Sequence, residues 1–460
     1  MDLEKVFSYI DAHFDEMLDE MTGLCRLRSV KGDAEGLEAT RAAIVKKLGA
    51  LGLSPVRHPV EGGNDVITAD TGTSDKPTLL IYNHYDVVHE GVRELWKFDP
   101  FVPTVENGVL YGRGVSDNKG ALIGRLQALQ AVRAAGQELP VNLKFFYEGD
   151  EESGSPSLKK FVRENPEQFR ELTRADCALW EGGKKDDDGH IRATHGARGA
   201  MKFALSVKSI DHDCHSRNST MYPNAAWRLV WALSLLKDKD ERVLIPGFYD
   251  DVLPVTEADR RALEQLPLNE AALLADQKLD HFLKNATGLE LKKRLYMEST
   301  LCVSGLDAGE MYKHPRTIVP HAARAELSVH MVAAQDPYKI EASLKKYLAD
   351  NGFDDIVVAS SAASCYPAVR SRVDTPFTQA LIRAAEKVYD QPLVVEPTML
   401  GAGPQYYFRD CWPDLVMVGV GPANEHSGNH GPNENIRVQD YRQFLKMMAA
   451  VYAETGTIRN

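Results

Sequence analysis

Histidine and acidic residues recur at the ends of predicted strands in this chain. The stretches TLLIYN (78–83), VNLKFFY (141–147), CALW (177–180) and LVMVGVG (415–421) are short and apolar, as buried strands are. A further acidic group lies in the turn GRGVSDNKG (112–120), which precedes a predicted helix. In open α/β sheets ligands bind beyond the carboxyl ends of the strands, so these loops could converge on one site. The residues concerned are His84, Asp86, Asp117, Glu151, Glu152, Glu181 and His430.

These residue types could together bind metal ions. Several carboxylates in one crevice repel each other strongly unless cations lie among them. Two histidines and three carboxylates are about what two divalent ions need when one carboxylate bridges them. The mixed nitrogen and oxygen donors favour Zn²⁺, with Mn²⁺ or Co²⁺ as alternatives. Each group alone has a simpler explanation, such as a solvated acidic loop or, for Asp117, a helix cap.

A serine hydrolase is the main alternative chemistry. Ser116-Asp117-Asn118-Lys119 fits both the SxxK and the SDN motifs of penicillin-recognising enzymes. Those motifs must lie on separate segments, however, and no KTG sequence accompanies them. The chain also lacks a GxSxG elbow, an HExxH helix, a GxxxxGK[ST] loop and a complete dinucleotide fingerprint. The residues therefore favour a metal-dependent site.

The order of predicted elements indicates two units. Helical and strand-like segments alternate over about the first 190 residues, as in an α/β sheet with buried strands. Further on, MKFALSVK (201–208) and ARAELSVHMV (323–332) alternate apolar and polar residues, which is typical of strands with one solvated face. A helix that begins near Thr375 resumes the first pattern. We predict an α/β domain, residues 1–198 and 369–460, interrupted by a smaller α+β domain, residues 199–368.

Composition disfavours two classes of function. The 460 residues carry a formal net charge of −12 and a pI near 5.7, which argues against nucleic-acid binding. No apolar run approaches the roughly 18 residues of a membrane span, and the N-terminus lacks the basic and apolar blocks of a signal peptide. The six cysteines are scattered and form no CxxC pair, which favours reduced thiols and a cytoplasmic location.

The motifs around these residues resemble those of the M20 family of metallopeptidases, which includes carnosinase-like dipeptidases, glutamate carboxypeptidases, aminoacylases and desuccinylases. They follow the family's order over nearly the whole chain. Sequences of the dipeptidase branch are the most similar to the segment WKFDPFVPTVENGVLYGRG (96–114). The matching stretches are NHYDVV (83–88), LYGRGVSDNKGAL (110–122), YEGDEESGSP (147–156), ALWEGG (178–183), GARGAMKFALSVKS (196–209) and HGPNENI (430–436).

The resemblance implies a site for two divalent metal ions. His84, Asp117 and Glu181 would surround one ion. Glu152, Asp117 and His430 would hold the other, so that Asp117 bridges the pair. The fold implied is a catalytic α/β domain with a mixed sheet and an inserted α+β domain that serves as a lid and in dimerisation.

The resemblance also implies how the reaction proceeds. Glu151 would be the general base that takes a proton from the metal-bridging water and passes it to the leaving amine. Its neighbour Glu152 would touch metal instead. Asp86 would orient the imidazole of His84 through a hydrogen bond.

The last metal ligand has two candidates. His426 begins HSGN, which is similar to the HSxNE form of the family motif. His430 begins HGPNENI, which keeps Asn and Glu at the expected offset. We therefore favour His430.

In the inserted domain, the segment Asp213-Cys214-His215-Ser216 is similar to the family's DLHS. The family histidine reaches into the partner subunit's active site and stabilises the oxyanion there. We therefore expect a homodimer in which His215 completes the partner's site. Without the resemblance, a histidine that caps a surface turn would be the simpler interpretation.

The predicted substrate contacts depart from the family pattern. TIVP (317–320) is similar to a substrate-contacting segment, but thirteen residues after Thr317 the usual carboxylate-binding arginine is replaced by His330. A histidine cannot form the bidentate fork of arginine, so either Arg324 or another residue substitutes, or the substrate is not an ordinary free-carboxylate dipeptide. The segment GAGP (401–404) lacks the serine of the family's GGSIP-like sequence. The predicted contacts are Thr317, His330 and Gly403.

The sequence therefore predicts a dinuclear metallopeptidase that cleaves amide bonds of dipeptides or short peptides, as a dipeptidase or a carboxypeptidase. The alternative is an N-acyl-amino-acid amidohydrolase, which needs the same metals and base but a different acyl pocket. A pseudoenzyme that keeps only the dimeric fold as a binding module is disfavoured, because Glu151 and all five ligand candidates are present.

Overall fold

Fourteen α-helices lie within the residues that the structure, a computed structural model, describes, namely 1–309, 316–360 and 365–458. They are α1 (Leu3–Ala12), α2 (Phe14–Cys25), α3 (Ala34–Ala50), α4 (Lys119–Ala134), α5 (Pro156–Glu164), α6 (Pro166–Thr173), α7 (Ala225–Ser234), α8 (Glu257–Gln265), α9 (Glu270–Gln277), α10 (Gly288–Met297), α11 (Pro337–Asp350), α12 (Pro376–Ala385), α13 (Gln405–Cys411) and α14 (Val438–Thr455).

The same ranges contain nineteen strands. They are β1 (Val56–His58), β2 (Val66–Asp70), β3 (Thr78–His84), β4 (Thr104–Glu106), β5 (Val109–Tyr111), β6 (Asn142–Glu148), β7 (Cys177–Trp180), β8 (Lys184–Lys185), β9 (Arg192–His195), β10 (Gly199–Lys208), β11 (Cys214–His215), β12 (Thr300–Ala308), β13 (Ile318–Val319), β14 (Ala322–Met331), β15 (Val357–Ser360), β16 (Val394–Glu396), β17 (Val416–Gly419), β18 (Ala423–Asn424) and β19 (Asn435–Arg437).

The larger sheet is mixed and has eight strands in the order β1-β2-β6-β3-β7-β17-β9-β16. Its four central strands, β6, β3, β7 and β17, run parallel to one another. Their carboxyl ends therefore meet at one edge, where His84 ends β3 and Glu181 directly follows β7. The α/β fold class predicted from the sequence is confirmed.

Both faces of the central strands are buried, which explains their continuous apolar sequences. In β3, Leu79 and Ile81 pack into a core that also contains residues of α4 and α14. The alternate residues Leu80 and Tyr82 pack into a second core on the opposite face, with residues of α5, α6 and α13. A strand buried on both sides holds its end residues in a fixed place, which is what a site at the sheet edge requires.

A smaller antiparallel sheet has the order β12-β14-β10-β15. Along β14, alternate residues from Ala323 to Met331 are buried in a core that includes residues of α7 and α11, and their neighbours lie on the other face. The strands of this sheet lie between residues 199 and 360, whereas those of the larger sheet lie within 56–195 and 394–419. The exact domain boundaries, 198/199 and 368/369, remain a prediction.

A short three-stranded sheet joins two distant parts of the chain. β19 pairs with β5, so that Asn435 lies opposite Tyr111 and Arg437 opposite Val109. The loop before β19 is thereby held beside the turn that follows β5. No helix within the described residues is both long and apolar enough to cross a membrane.

Candidate metal centre

His84 forms one half of the cluster at the sheet edge. It is almost fully buried, and its Nε2 atom lies 3.1 Å from Oδ1 of Asp117 and 3.2 Å from Oε2 of Glu181. Asp117 comes from the turn before α4, and Glu181 directly follows β7. Three separate segments therefore bring their side chains to a single point.

His430 forms the other half of the cluster. Its Nε2 atom lies 3.2 Å from Oδ2 of Asp117 and 3.1 Å from Oε2 of Glu152. Asp117 thus directs one carboxylate oxygen towards each histidine. His84, Asp117 and Glu152 also offer ligand atoms that all lie within 4.8 Å of one another.

His426 lies apart from this cluster. Its Nε2 atom is 2.8 Å from Oδ2 of Asp187, and the imidazole is largely exposed. The structure therefore places His430, and not His426, beside Asp117 and Glu152.

Asp86 connects the His84 strand to the Glu151-Glu152 turn. The backbone N–H groups of Glu151 and Glu152 donate to its two carboxylate oxygens, each at 3.1 Å. The Nδ1 atom of His84 lies 3.0 Å from the backbone oxygen of Asp86 and 3.3 Å from its Oδ1 atom. Asp86 therefore contacts His84 mainly through its backbone oxygen, and its carboxylate fixes the backbone that carries the predicted base.

Glu434 positions Asp117, and sequence reasoning assigned it no role although it lies within the matched HGPNENI segment. It is completely buried and accepts hydrogen bonds from the backbone N–H groups of Gly114, Ser116 and Asp117 at 2.9–3.1 Å. Its charge is balanced by the buried Arg113, whose Nη1 atom lies 2.6 Å from Oε2 of Glu434. The only sign of Glu434 in the sequence was its spacing from His430, which is the spacing expected in the family motif.

The electrostatics of the cluster show a surplus of negative charge. Hydrogen bonds to Asp117 and Glu152 raise the pKa of His430 to about 10. Burial would lower the pKa of His84, but the nearby charges of Glu181, Asp117 and Asp86 raise it well above its usual range. Burial also raises the pKa of Glu181 to about 7. The carboxylates of the site therefore favour the binding of positively charged groups.

The donor set fits divalent cations. The Oε1 atom of Glu152 is buried without a hydrogen-bond partner. The same is true of Oε2 of Glu181, although His84 is close. Imidazole nitrogens and carboxylate oxygens are the donors that Zn²⁺ and similar ions take, and a cation would satisfy both oxygens. The structure therefore brings the five predicted ligands together around Asp117.

Glu151 lies at the rim of this cluster, on a 3-10 turn that spans Glu151–Ser153. Burial, followed by the negative charge of Glu181, raises the pKa of its carboxyl well above the usual range. A Cβ atom built on Gly403 would lie 3.9 Å from Oε1 of Glu151 and 3.9 Å from Oε1 of Glu181. Gly403 therefore faces the proposed reaction centre, and its lack of a side chain leaves room there.

His215 and Thr317 lie together on a separate ribbon. His215, at the end of β11, pairs with Ile318 of β13, and its exposed ring accepts a hydrogen bond from the backbone N–H of Arg217. The backbone oxygen of Thr317 accepts from Ser216. Among the described residues, no hydrogen bond or ion pair joins this ribbon to the metal cluster of the same chain.

His330 lies on β14, opposite Ala200 of β10. Its Nδ1 atom is buried without a hydrogen-bond partner. Burial, together with the positive charges of Arg198 and Lys202, lowers its pKa, which keeps the ring neutral. Arg324 lies six residues earlier on the same strand, roughly 20 Å away along an extended chain, and its Nε atom donates to Glu326 at 2.6 Å. Within its own chain, Arg324 therefore lies apart from His330.

Comparison with known proteins identifies one peptidase family, whose model matches most of the chain. A model of Peptidase family M20/M25/M40 matches residues 80–454. Human Beta-Ala-His dipeptidase is 28% identical over 99% of this chain and 93% of its own length. A Cys-Gly metallodipeptidase of Schizosaccharomyces pombe is also 28% identical, over 76% of each protein.

A solved structure shows that the similarity extends to the fold. The crystal structure of an M20 family metallo-carboxypeptidase from Sulfolobus solfataricus matches with a TM-score of 0.86 and 32% sequence identity. The match covers 96% of this chain and 100% of that protein. The two chains therefore share the same fold over nearly their whole lengths.

Proposed function

The chain belongs to peptidase family M20/M25/M40, and from this membership and its site we propose a two-metal dipeptidase that cleaves dipeptides or short peptides. It is a metallopeptidase of the M20 type. The observation that carries the two-metal proposal is the position of Asp117, whose two oxygens lie 3.1 Å and 3.2 Å from two different histidines. We propose Zn²⁺ as the metal, with Mn²⁺ or Co²⁺ as alternatives.

Each proposed ion would be held by three side chains. His84, Asp117 and Glu181 would bind one ion, and His430, Asp117 and Glu152 the other. When bound, two divalent cations supply Lewis acidity for the scissile carbonyl and make water easier to deprotonate.

Glu151 is the proposed general base. Its carboxyl borders the cluster and lies close to the space that Gly403 leaves open. A carboxylate at this position can accept a proton from water and later release it to the leaving amine. Asp86, which binds the backbone N–H of Glu151, keeps this base in place.

The proposed substrates follow from the relatives and from His330. The two similar dipeptidases are named for Beta-Ala-His and Cys-Gly. A neutral imidazole at His330 can make a single hydrogen bond to a substrate, in contrast to the bidentate contact of an arginine. We propose that His330, Thr317 and Gly403 contact the substrate, and that selectivity for its free carboxylate is weak.

Removal of metal is expected to abolish hydrolysis. The protein would be stripped with a chelator, reloaded with Zn²⁺, Mn²⁺ or Co²⁺, and assayed against β-alanyl-histidine, cysteinyl-glycine, other dipeptides and N-acetyl amino acids. We expect activity to return with two equivalents of metal per chain and to be highest with the dipeptides. Hydrolysis that survives chelation would refute the proposal, whereas faster cleavage of the N-acetyl amino acids would establish the amidohydrolase alternative.

We further propose a homodimer formed through the inserted unit. On α7, the side chains of Trp227, Val230 and Trp231 are exposed, and the two indole rings stack with their centroids 5.9 Å apart. The edge strand β12 exposes Val303 and Leu306 as well. Exposed apolar surface of this kind is typical of an interface, and an unpaired edge strand is suited to pairing with a second copy.

Replacement of the two exposed tryptophans tests this interface. Trp227→Glu combined with Trp231→Glu places charge in the proposed contact and is expected to convert the dimer to monomers in light scattering coupled to gel filtration. Val56→Glu, an equally exposed apolar position on β1, is the matched control and should leave the mass unchanged. A monomeric wild-type protein would contradict the proposal.

The dimer would explain why His215 lies apart from the cluster of its own chain. Co-expression of His215→Ala with Glu151→Gln, each inactive alone, should restore activity, because a mixed dimer contains one complete site. Continued inactivity of the purified mixed dimer would show that His215 does not act in the partner.

We also propose a cytoplasmic location, supported by the six unpaired cysteines and tested by recovery of the activity in the cytosolic fraction.

A further inference from the structure

Arg125 is a fully buried cation in the middle of α4. Its Nη1 atom donates to the backbone oxygen of Tyr82 and to Oδ1 of Asn83, both at 2.8 Å. Its Nη2 atom donates to the backbone oxygens of Trp180, at 2.5 Å, and Val420, at 3.1 Å. One side chain therefore binds β3, β7 and the residue that directly follows β17, all at the same edge of the sheet.

Each of these contacts is close in sequence to a residue of the metal centre. Tyr82 lies two residues before His84 on β3, and Trp180 directly precedes Glu181. Val420 directly follows β17 and begins the segment that leads to His430. The guanidinium thus lies next to the positions at which these strands end and the loops of the site begin.

The turn that carries Asp117 is connected to the same network. The side-chain amide of Asn83 donates to Oδ1 of Asn118, which directly follows Asp117. Because Oδ1 of Asn83 accepts from Arg125, its amide group is oriented with the nitrogen towards Asn118. Arg125 therefore reaches four of the segments that build the centre.

The charge of Arg125 has no carboxylate in hydrogen-bond contact among the residues that the structure describes. Its four recorded acceptors are neutral oxygens, and its Nε atom is buried without a partner. Burial lowers its pKa to about 10, so it stays charged at neutral pH. A buried charge without a close counter-ion is costly unless other charges compensate it. The nearby Glu181 carboxylate does so in part, since each group favours the charged form of the other.

We propose that Arg125 is a positioning residue of the metal centre, which holds the ends of β3 and β7 and the segment that follows β17 in register. This inference rests on the proposed two-metal function. The competing explanation is that Arg125 only packs α4 against the sheet and contributes to stability alone.

Gln127 offers a matched control for that explanation. It lies two residues further along α4 and is equally buried. It also makes three hydrogen bonds, to the backbone oxygen of Met17, to Glu20 and from the hydroxyl of Tyr441, at 2.7–2.9 Å. All three partners lie in α2 or α14, away from the strand ends. Gln127→Met should therefore lower the melting temperature without a change in metal binding.

The test compares metal binding in wild type, Arg125→Met and Gln127→Met. The dissociation constants for Zn²⁺ would be measured by competition with a chromophoric chelator, and the ligand geometry by the visible absorption of the Co²⁺-loaded proteins. We expect Arg125→Met to weaken Zn²⁺ binding by about 10- to 100-fold, the range seen when residues that orient metal ligands are lost, and to alter the Co²⁺ spectrum. A dissociation constant and spectrum equal to those of Gln127→Met would overturn the proposal.

Arg125→Lys covers the case in which Arg125→Met fails to fold. Lysine keeps the positive charge, but its three donors on one atom cannot reach four acceptors. We expect Zn²⁺ binding several-fold weaker than in wild type, and an unchanged dissociation constant would overturn the proposal. A wild-type protein that binds no metal would instead contradict the proposed function, so the two failures are distinguishable.

Discussion

Replacement of Glu151 by glutamine is expected to lower kcat by about 100- to 10,000-fold, the usual contribution of a general base, while both metal ions stay bound. Glutamine has the same shape but cannot take a proton from water. The backbone N–H of Glu151, which donates to Asp86, is unaffected by the change. The predicted ligand oxygens belong to other residues, so metal content should remain at two equivalents and KM should change little.

The measurement is steady-state kinetics on a dipeptide together with elemental analysis of the purified protein. Glu164→Gln, at an exposed position on α5, serves as the control and should behave as wild type. Full activity in Glu151→Gln would show that another group is the base. Loss of metal from the same variant would place Glu151 among the ligands instead.

Replacement of His430 by alanine is expected to reduce bound metal from two equivalents to about one and to lower kcat/KM by more than about 100-fold, since even outer-shell partners of a metal ligand contribute 10- to 100-fold. The variant loses the nitrogen that lies 3.1 Å from Glu152 and 3.2 Å from Asp117. The two carboxylates would then repel each other without the second cation.

His426→Ala is the matched control, because it removes the competing histidine of the same loop. His426 contacts Asp187 on the surface, and exposed pairs of this kind contribute little to stability. We expect wild-type metal content and activity in this variant. The opposite pattern, with metal lost from His426→Ala and retained in His430→Ala, would reverse the assignment.

The fold and much of the site could be predicted from local sequence because the central strands are buried on both faces. Stretches such as CALW are apolar throughout, and the polar residues that follow them, such as Glu181, mark the sheet edge. The alternating pattern of 323–332 similarly predicted β14, which has one face in the core and one outside it. In both cases the burial of each strand position determines whether its residue is apolar or polar. A stretch of only a few residues is therefore enough to predict the strand.

Other features depend on contacts between distant residues and left little local signal. Glu434 binds the Asp117 turn across more than three hundred positions. Arg125 is the one charged residue between Lys119 and Arg133 of α4, and only the structure shows which strands it joins. Phe7, Ile10 and Phe14 recur at the spacing of one continuous helix, but the chain forms two helices here, α1 and α2, separated at His13.

The pairing of β19 with β5 has a consequence for the order in which the protein matures. Residues 435–437 are synthesised long after 109–111, and at about 5–20 residues per second the interval is roughly 15–65 s. Until then His430 is absent, and Asp117, Glu152 and Glu181 have only part of their final surroundings. The centre can therefore be completed only after residues 430–437 have left the ribosome, so loading of both metals is expected to come well after the segment around Asp117 has been synthesised.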